Sequence, residues 1–137
     1  AINNDVKIVY PVHLNPNVQE PVNNILEGIK NIYLIEPQDY VPFIFLMKKS
    51  HIILTDSGGV QEEAPSLGKP VLVMRDNTER PETVKIGTNE LIGSGTKNIK
   101  ISLKKLLSGN WKKGSIPELW DGKTAERIIS HILEFET

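Results

Sequence analysis

The sequence contains no cysteine. That excludes a disulfide scaffold and any thiolate metal site, and it fits a cytosolic protein. There is no charge excess either. Sixteen basic residues against 17 acidic ones leave a formal net charge of −1, so no global field draws the chain to nucleic acid or to an anionic membrane. No apolar run approaches the roughly 20 residues that span a bilayer, and no signal peptide is visible. Internal repeats and low-complexity segments are missing as well. The basic residues that do gather, Lys97, Lys100, Lys104, Lys105, Lys112 and Lys113, read as a solvated helix face. With 137 residues the chain is one domain by the usual length prior, large enough for a real core. It starts with Ala1 and a polar stretch, Asn3-Asn4-Asp5, and is expected to be a piece of something longer.

What is present is alternation. Val6–Val12 is β-branched and aromatic, with Pro11 near its end where a ladder donor is dispensable. A loop over residues 13–17 follows, and Val22, Ile25, Leu26 and Ile29 carry the i, i+3, i+4, i+7 spacing of a helix. Ile32–Ile35 reads as a buried strand, Pro37-Gln38-Asp39 as a turn, and Tyr40–Met47 as a helix with Lys48 and Lys49 suiting its C-terminal dipole. Strands are expected at 52–54, 71–74 and 89–92. Helices are expected up to Leu67, with Gly68 as cap, over 81–86 behind Pro81, over 99–107 and over 124–135. Residues 109–122 read as irregular, anchored by Trp111 and Trp120. Five strands alternating with helices predict an α/β fold, a doubly wound parallel Rossmann-like sheet. Ligands of such sheets bind at the carboxyl ends of the strands, here the loops 13–17, 37–39, 56–59 and 75–80.

The third of those loops carries the sharpest signal. Ile52, Ile53 and Leu54 run into Asp56-Ser57-Gly58-Gly59 and then a helix. Free backbone N–H groups and the helix dipole point at one spot there, which suits a phosphate. Glycine lets an anion approach the backbone closely, and Ser57 adds a hydroxyl donor. From the residues alone this is a nucleotide or phosphosugar site.

The strings PVHLNPNVQEPV, LIEPQDYVPFIFLM, ILTDSGGVQEEAPSLGKPVLVMRDNTERPE and GTNELIG, in that order, resemble the non-hydrolysing UDP-N-acetylglucosamine 2-epimerases. A weaker likeness continues at WDGKTAERI. The resemblance implies a GT-B type fold of two Rossmann-like domains with UDP-sugar between them, this chain being part of the C-terminal, UDP-binding domain. By the same likeness Ser57, Gly58 and Gly59 take the UDP phosphates and Glu63 the ribose hydroxyls. Gln38 and Phe43 line the uracil, and Arg80 meets the UDP-sugar with its planar fork of donors. His13 lies near the cleft, close to where some members hold a second, activating UDP-N-acetylglucosamine. A plain core role stays open for Phe43, and a backbone-satisfied loop role for His13. Glu62 reads as solvated helix face, and Asp76, Glu79 and Glu82 as loop structure around Arg80. His51 and His131 read as structural.

The implied activity is interconversion of UDP-N-acetylglucosamine and UDP-N-acetylmannosamine, an isomerase reaction serving cell-surface polysaccharide synthesis. The full-length protein is expected to be a cytoplasmic homodimer without cofactor or metal. The family's acids that move the C2 proton belong to its N-terminal domain, so no catalytic residue is expected within residues 1–137. Two other readings remain: a GT-B glycosyltransferase donor domain, which the unbroken central string disfavours, and a non-catalytic UDP-sugar-binding module. The five strands match the family's second to sixth. In the order 3-2-1-4-5-6 the first strand is central, so the strand at 6–12 and that at 52–54 are expected not to pair with each other.

Overall fold

A computed structural model describes residues 5–111 and 114–135. The chain divides into two compact units, Ala1–Ile44 and Phe45–Thr137.

In the first unit, β1 (Ile8–Pro11) pairs in parallel with β2 (Ile32–Ile35), in the register Ile8↔Ile32 to Pro11↔Ile35. The ladder is extended at both ends by Ile8 N donating to Asn31 O and Val12 N to Ile35 O, each at 2.9 Å. The crossover helix α1 runs Pro16–Leu26, starting six residues before the helix expected at 22–29. Two local features outweigh the polar look of that segment. Asn15 caps the helix, its Oδ1 accepting from Asn17 N at 3.0 Å, and Pro16 sits in the first turn, where no N–H is needed. Pro21 lies inside the helix and deprives only the carbonyl of Asn17 of its partner. Little of this unit is buried on its own. Ile8, Val9 and Tyr10 stay more than a third exposed, and Val12 is its buried apolar residue.

Helix α2 (Tyr40–Lys49) leads on to the second unit. There β3 (Ile53–Thr55), β4 (Val71–Val73) and β5 (Asn89–Leu91) form a parallel sheet in the order β3-β4-β5. The middle strand is entirely apolar and fully buried, Val71, Leu72 and Val73 each at 0% exposure, as a strand covered on both faces should be. Helices α3 (Gly58–Ser66) and α4 (Pro81–Lys85) make the crossovers. Two longer helices follow, α5 (Thr96–Leu107) and α6 (Thr124–Phe135). A cluster of Leu72, Ile92 and Leu106 forms the core, with Ile52, Met74, Ile99, Leu103 and Trp111 packed on it. Trp111 thus anchors the irregular segment as expected.

The fold is α/β with parallel strands, and the strands fall in the expected places. Their pairing makes two sheets, β1-β2 and β3-β4-β5, and among the described residues β1 and β3 share no ladder. No helix of the described residues is long and apolar enough to cross a membrane. Lys97, Lys100, Lys104 and Lys105 are exposed on α5, as read; Lys112 and Lys113 lie outside the described residues. His51 and His131 are exposed, and His131 faces Glu134 on the surface of α6.

Candidate functional site

The turn between β3 and α3 is fixed by its own side chains. Ser57 N donates to Thr55 Oγ1 at 3.0 Å, and Ser57 takes the extended backbone of an N-cap, φ −76° and ψ 132°. Its hydroxyl makes no capping bond. The first amides of a helix have no partner within it, so those of α3 are left for whatever approaches the turn, with the positive end of the helix dipole behind them. A Cβ on Gly58 would meet nothing within 4 Å, and one on Gly59 only Ser57 Oγ at 4.0 Å. Neither glycine has a positive φ. The chain's own packing therefore does not require them; what they keep clear is the outer face of the turn.

The loop after β4 comes back onto α3. Arg80 is the N-cap of α4, and its Nε donates to Glu62 Oε1 on α3. Its Nη1 donates to Glu79 O at 3.0 Å, while Nη2 makes no hydrogen bond among the described residues. Glu62 is thus more than the solvated face expected of it: it aims the guanidinium. Glu79 is occupied elsewhere, its carboxylate held by the fork of Arg75 at 3.0 and 3.2 Å. Hydrogen bonding within its own backbone, and then the Arg75 charge, hold the Glu79 carboxyl below the usual carboxylate range. Glu63, the next residue on α3, is half-buried and its carboxylate has no partner among the described residues. Two adjacent carboxylates therefore differ: one is spent on Arg80, the other is free.

The remaining expected residues lie in the first unit, after the carboxyl ends of its strands. His13 follows β1 and is exposed; its Nδ1 accepts from Asn15 N at 3.1 Å, which puts the ring proton of the neutral imidazole on Nε2. Gln38 follows β2, with Nε2 donating to Glu36 O at 2.8 Å, so its side-chain oxygen is the unused end. Phe43 is half-buried on α2. Ser57, Gly58, Gly59, Glu63 and Arg80 belong to the second unit, where the Arg80–Glu62 pair ties the loop to the helix that follows the turn.

Sequence reasoning missed Gln61. It is fully buried on α3, on one face with Val60, Ala64 and Pro65, and it donates to Ser57 O at 3.1 Å. The signal was available: a glutamine sits at an apolar position of a short helix, directly after the glycine turn.

The family model described as UDP-N-acetylglucosamine 2-epimerase matches residues 1–133. The chain is 63% identical over 139 aligned positions to the UDP-N-acetylglucosamine 2-epimerase of Salmonella typhimurium, covering 98% of this chain and 37% of that protein. Among solved structures it is similar to the UDP-GlcNAc 2-epimerase from Neisseria meningitidis bound to UDP-GlcNAc, with a TM-score of 0.86 and 51% identity over 93% of this chain and 36% of that one. It is similar also to the S. aureus MnaA–UDP co-structure, with a TM-score of 0.89 and 46% identity over 97% of this chain and 37% of that one. The chain spans about a third of the length of these relatives.

Proposed function

Because the chain belongs to the UDP-N-acetylglucosamine 2-epimerase family, we propose that it supplies the UDP-holding part of an enzyme that interconverts UDP-N-acetylglucosamine and UDP-N-acetylmannosamine. The observation that carries this reading is the Ser57–Gly59 turn, whose uncapped amides stand on the same helix as an unpaired carboxylate, Glu63, and an arginine partner, Glu62. In this reading the turn and Arg80 take the diphosphate, and Glu63 accepts from both hydroxyls of the ribose diol. Gln38 offers a polar edge and Phe43 an apolar face to the uracil, and His13 borders the cleft or an activator site. Similar proteins solved with UDP-GlcNAc and with UDP support the ligand class.

The reaction proceeds by removal of the C2 proton and anti elimination of UDP, leaving 2-acetamidoglucal; UDP then adds back with protonation on the opposite face. The acids for the proton steps come from an N-terminal domain outside residues 1–137. This chain's part is to hold the leaving group. Donors fixed in advance at the β-phosphate stabilise charge as the C1–O bond breaks, and retention of UDP makes its re-addition effectively unimolecular. The same reading makes the full-length protein a cytoplasmic homodimer feeding cell-surface polysaccharide synthesis.

The test is to incubate the full-length protein with UDP-N-acetylglucosamine in deuterium oxide. Inversion at C2 with deuterium incorporated there is expected. Sugar transfer to an acceptor with C2 unchanged would instead make the protein a glycosyltransferase, and UDP-sugar binding without exchange at C2 would make it a binding module.

A further inference from the structure

A ring of hydrogen bonds beneath the turn joins it to both main-chain groups of Arg80. Gln61 Nε2 donates to Ser57 O at 3.1 Å. A carbonyl only accepts, so the glutamine amide has one orientation, and Oε1 must face Thr78. Thr78 Oγ1 donates to it at 2.6 Å, which leaves a lone pair on the hydroxyl to accept from Arg80 N at 3.0 Å. On the other side, Arg80 O accepts from Thr83 Oγ1 at 2.9 Å, and that hydroxyl accepts from Asn89 Nδ2 at 2.7 Å. Asn89 Nδ2 also donates to Gln61 O at 3.1 Å and closes the ring. Every direction in the circuit is forced by the one before it.

The ring is closed, and while Thr78 and Arg80 are half-buried, its other three members are withdrawn from solvent. Gln61 and Thr83 are 0% exposed and Asn89 is 2% exposed. Burying polar groups in this way is costly unless they are bonded, and apolar residues of similar size would fit the same helix face. Asn89 Oδ1 has no partner among the described residues, so this side chain contributes as a donor alone. The arrangement is an expensive way to fill a core and an effective way to hold one backbone unit. Arg80 has a conformation that is neither helical nor extended, φ −124° and ψ 59°, and both of its main-chain polar groups are held by the circuit.

We propose that Gln61, with Thr78 and Thr83, is a positioning group for catalysis: it sets Arg80 relative to the Ser57–Gly59 turn, so that guanidinium and amides address the same diphosphate. The proposal rests on the reading of Arg80 and the turn as the diphosphate site. It assigns no contact between Gln61 and substrate.

The experiment uses the full-length enzyme and Thr78→Val, which keeps the shape and removes both hydrogen bonds, beside Thr78→Ser, which keeps them. Thr83→Val breaks the other arm. A misplacement of about 1 Å can cost as much as 100-fold, so each valine variant is expected to lower kcat/KM by roughly 10- to 100-fold, mainly in kcat, with Thr78→Ser within about threefold of the parent. Thermal melting identifies any variant that is merely unfolded, in which case the other arm is read. The decisive measurement is the cycle with Arg80→Ala. If the circuit acts through Arg80, Thr78→Val adds little to the loss that Arg80→Ala already causes, a non-additivity that general destabilisation does not produce. Additive losses, or equal losses in Thr78→Ser and Thr78→Val, overturn the positioning role and leave the diphosphate site standing. If Arg80→Ala alone leaves both UDP affinity and kcat unchanged, the site assignment itself falls and the proposal falls with it.

Discussion

Glu62 and Glu63 are neighbours of one residue type on one helix, and the structure gives them opposite tasks. Glu62 spends its charge on Arg80; Glu63 has no partner among the described residues. A free, half-buried carboxylate near an uncapped helix N-terminus is the group able to take a vicinal diol, since each hydroxyl can donate to a separate lone pair. Glu63→Ala in the full-length protein is therefore expected to weaken UDP by roughly 1.5–3 kcal/mol, the range for hydrogen bonds to a charged group, as read by titration calorimetry. An unchanged affinity removes the ribose assignment. Nearby, Glu79 shows how little of this pairing is visible in a sequence. Its position beside Arg80 suggests a pair, yet only its carbonyl serves Arg80, while the carboxylate goes to Arg75 four residues back. Which carboxylate meets which guanidinium depends on the path of the loop, and that path is set by tertiary packing.

At the scale of the element, α3 has two ends built in opposite ways. Its C-terminus is closed by a Schellman motif: Gly68 N donates to Pro65 O at 2.9 Å and Lys69 N to Ala64 O at 3.3 Å, with Gly68 at φ +66°. Its N-terminus has no side-chain cap. A short helix can leave one end open to a ligand when the other is secured and its middle is buried under Ala64 and Gln61. Gly68→Ala places a Cβ in the left-handed region and is expected to destabilise the full-length protein by about 1–2 kcal/mol, seen as a lower midpoint in urea. UDP affinity of the folded fraction should stay the same, because the cap is at the far end from the turn. A loss of UDP binding without loss of stability would show that α3 reports to its ligand along its whole length. Gly68 was legible in the sequence because a glycine after an apolar helix has few other uses. The start of α1 was not. Asn15 and Pro16 look like loop residues until the cap geometry reveals them as a helix start, and Pro21 hides the periodicity further.

For the whole molecule, the alternation of strands and helices and their parallel pairing follow directly from the spacing of apolar runs. Runs such as Val71–Val73, apolar at every position, are the mark of a strand buried on both faces. The polar circuit around Gln61 was invisible because it depends on three stretches, residues 57–61, residues 78–83 and Asn89, that only the folded chain brings together. The proposed site residues divide in the same way. Ser57, Gly58 and Gly59 could be read from a local strand–turn–helix pattern, whereas Gln38, Phe43, His13 and Arg80 came from family likeness and have no local signature. None of these eight residues, Glu63 included, is assigned the removal of a proton from C2. That sets the expectation for residues 1–137 expressed alone. The chain should bind UDP more weakly than the full-length protein, since a half-site loses the surface that encloses the ligand, and it should show no C2 inversion. The check is calorimetry with UDP and the deuterium-exchange assay on the purified chain, with circular dichroism establishing that it is folded. Measurable inversion by a folded 137-residue chain would place the proton-moving groups within this sequence and overturn the division of labour argued for it.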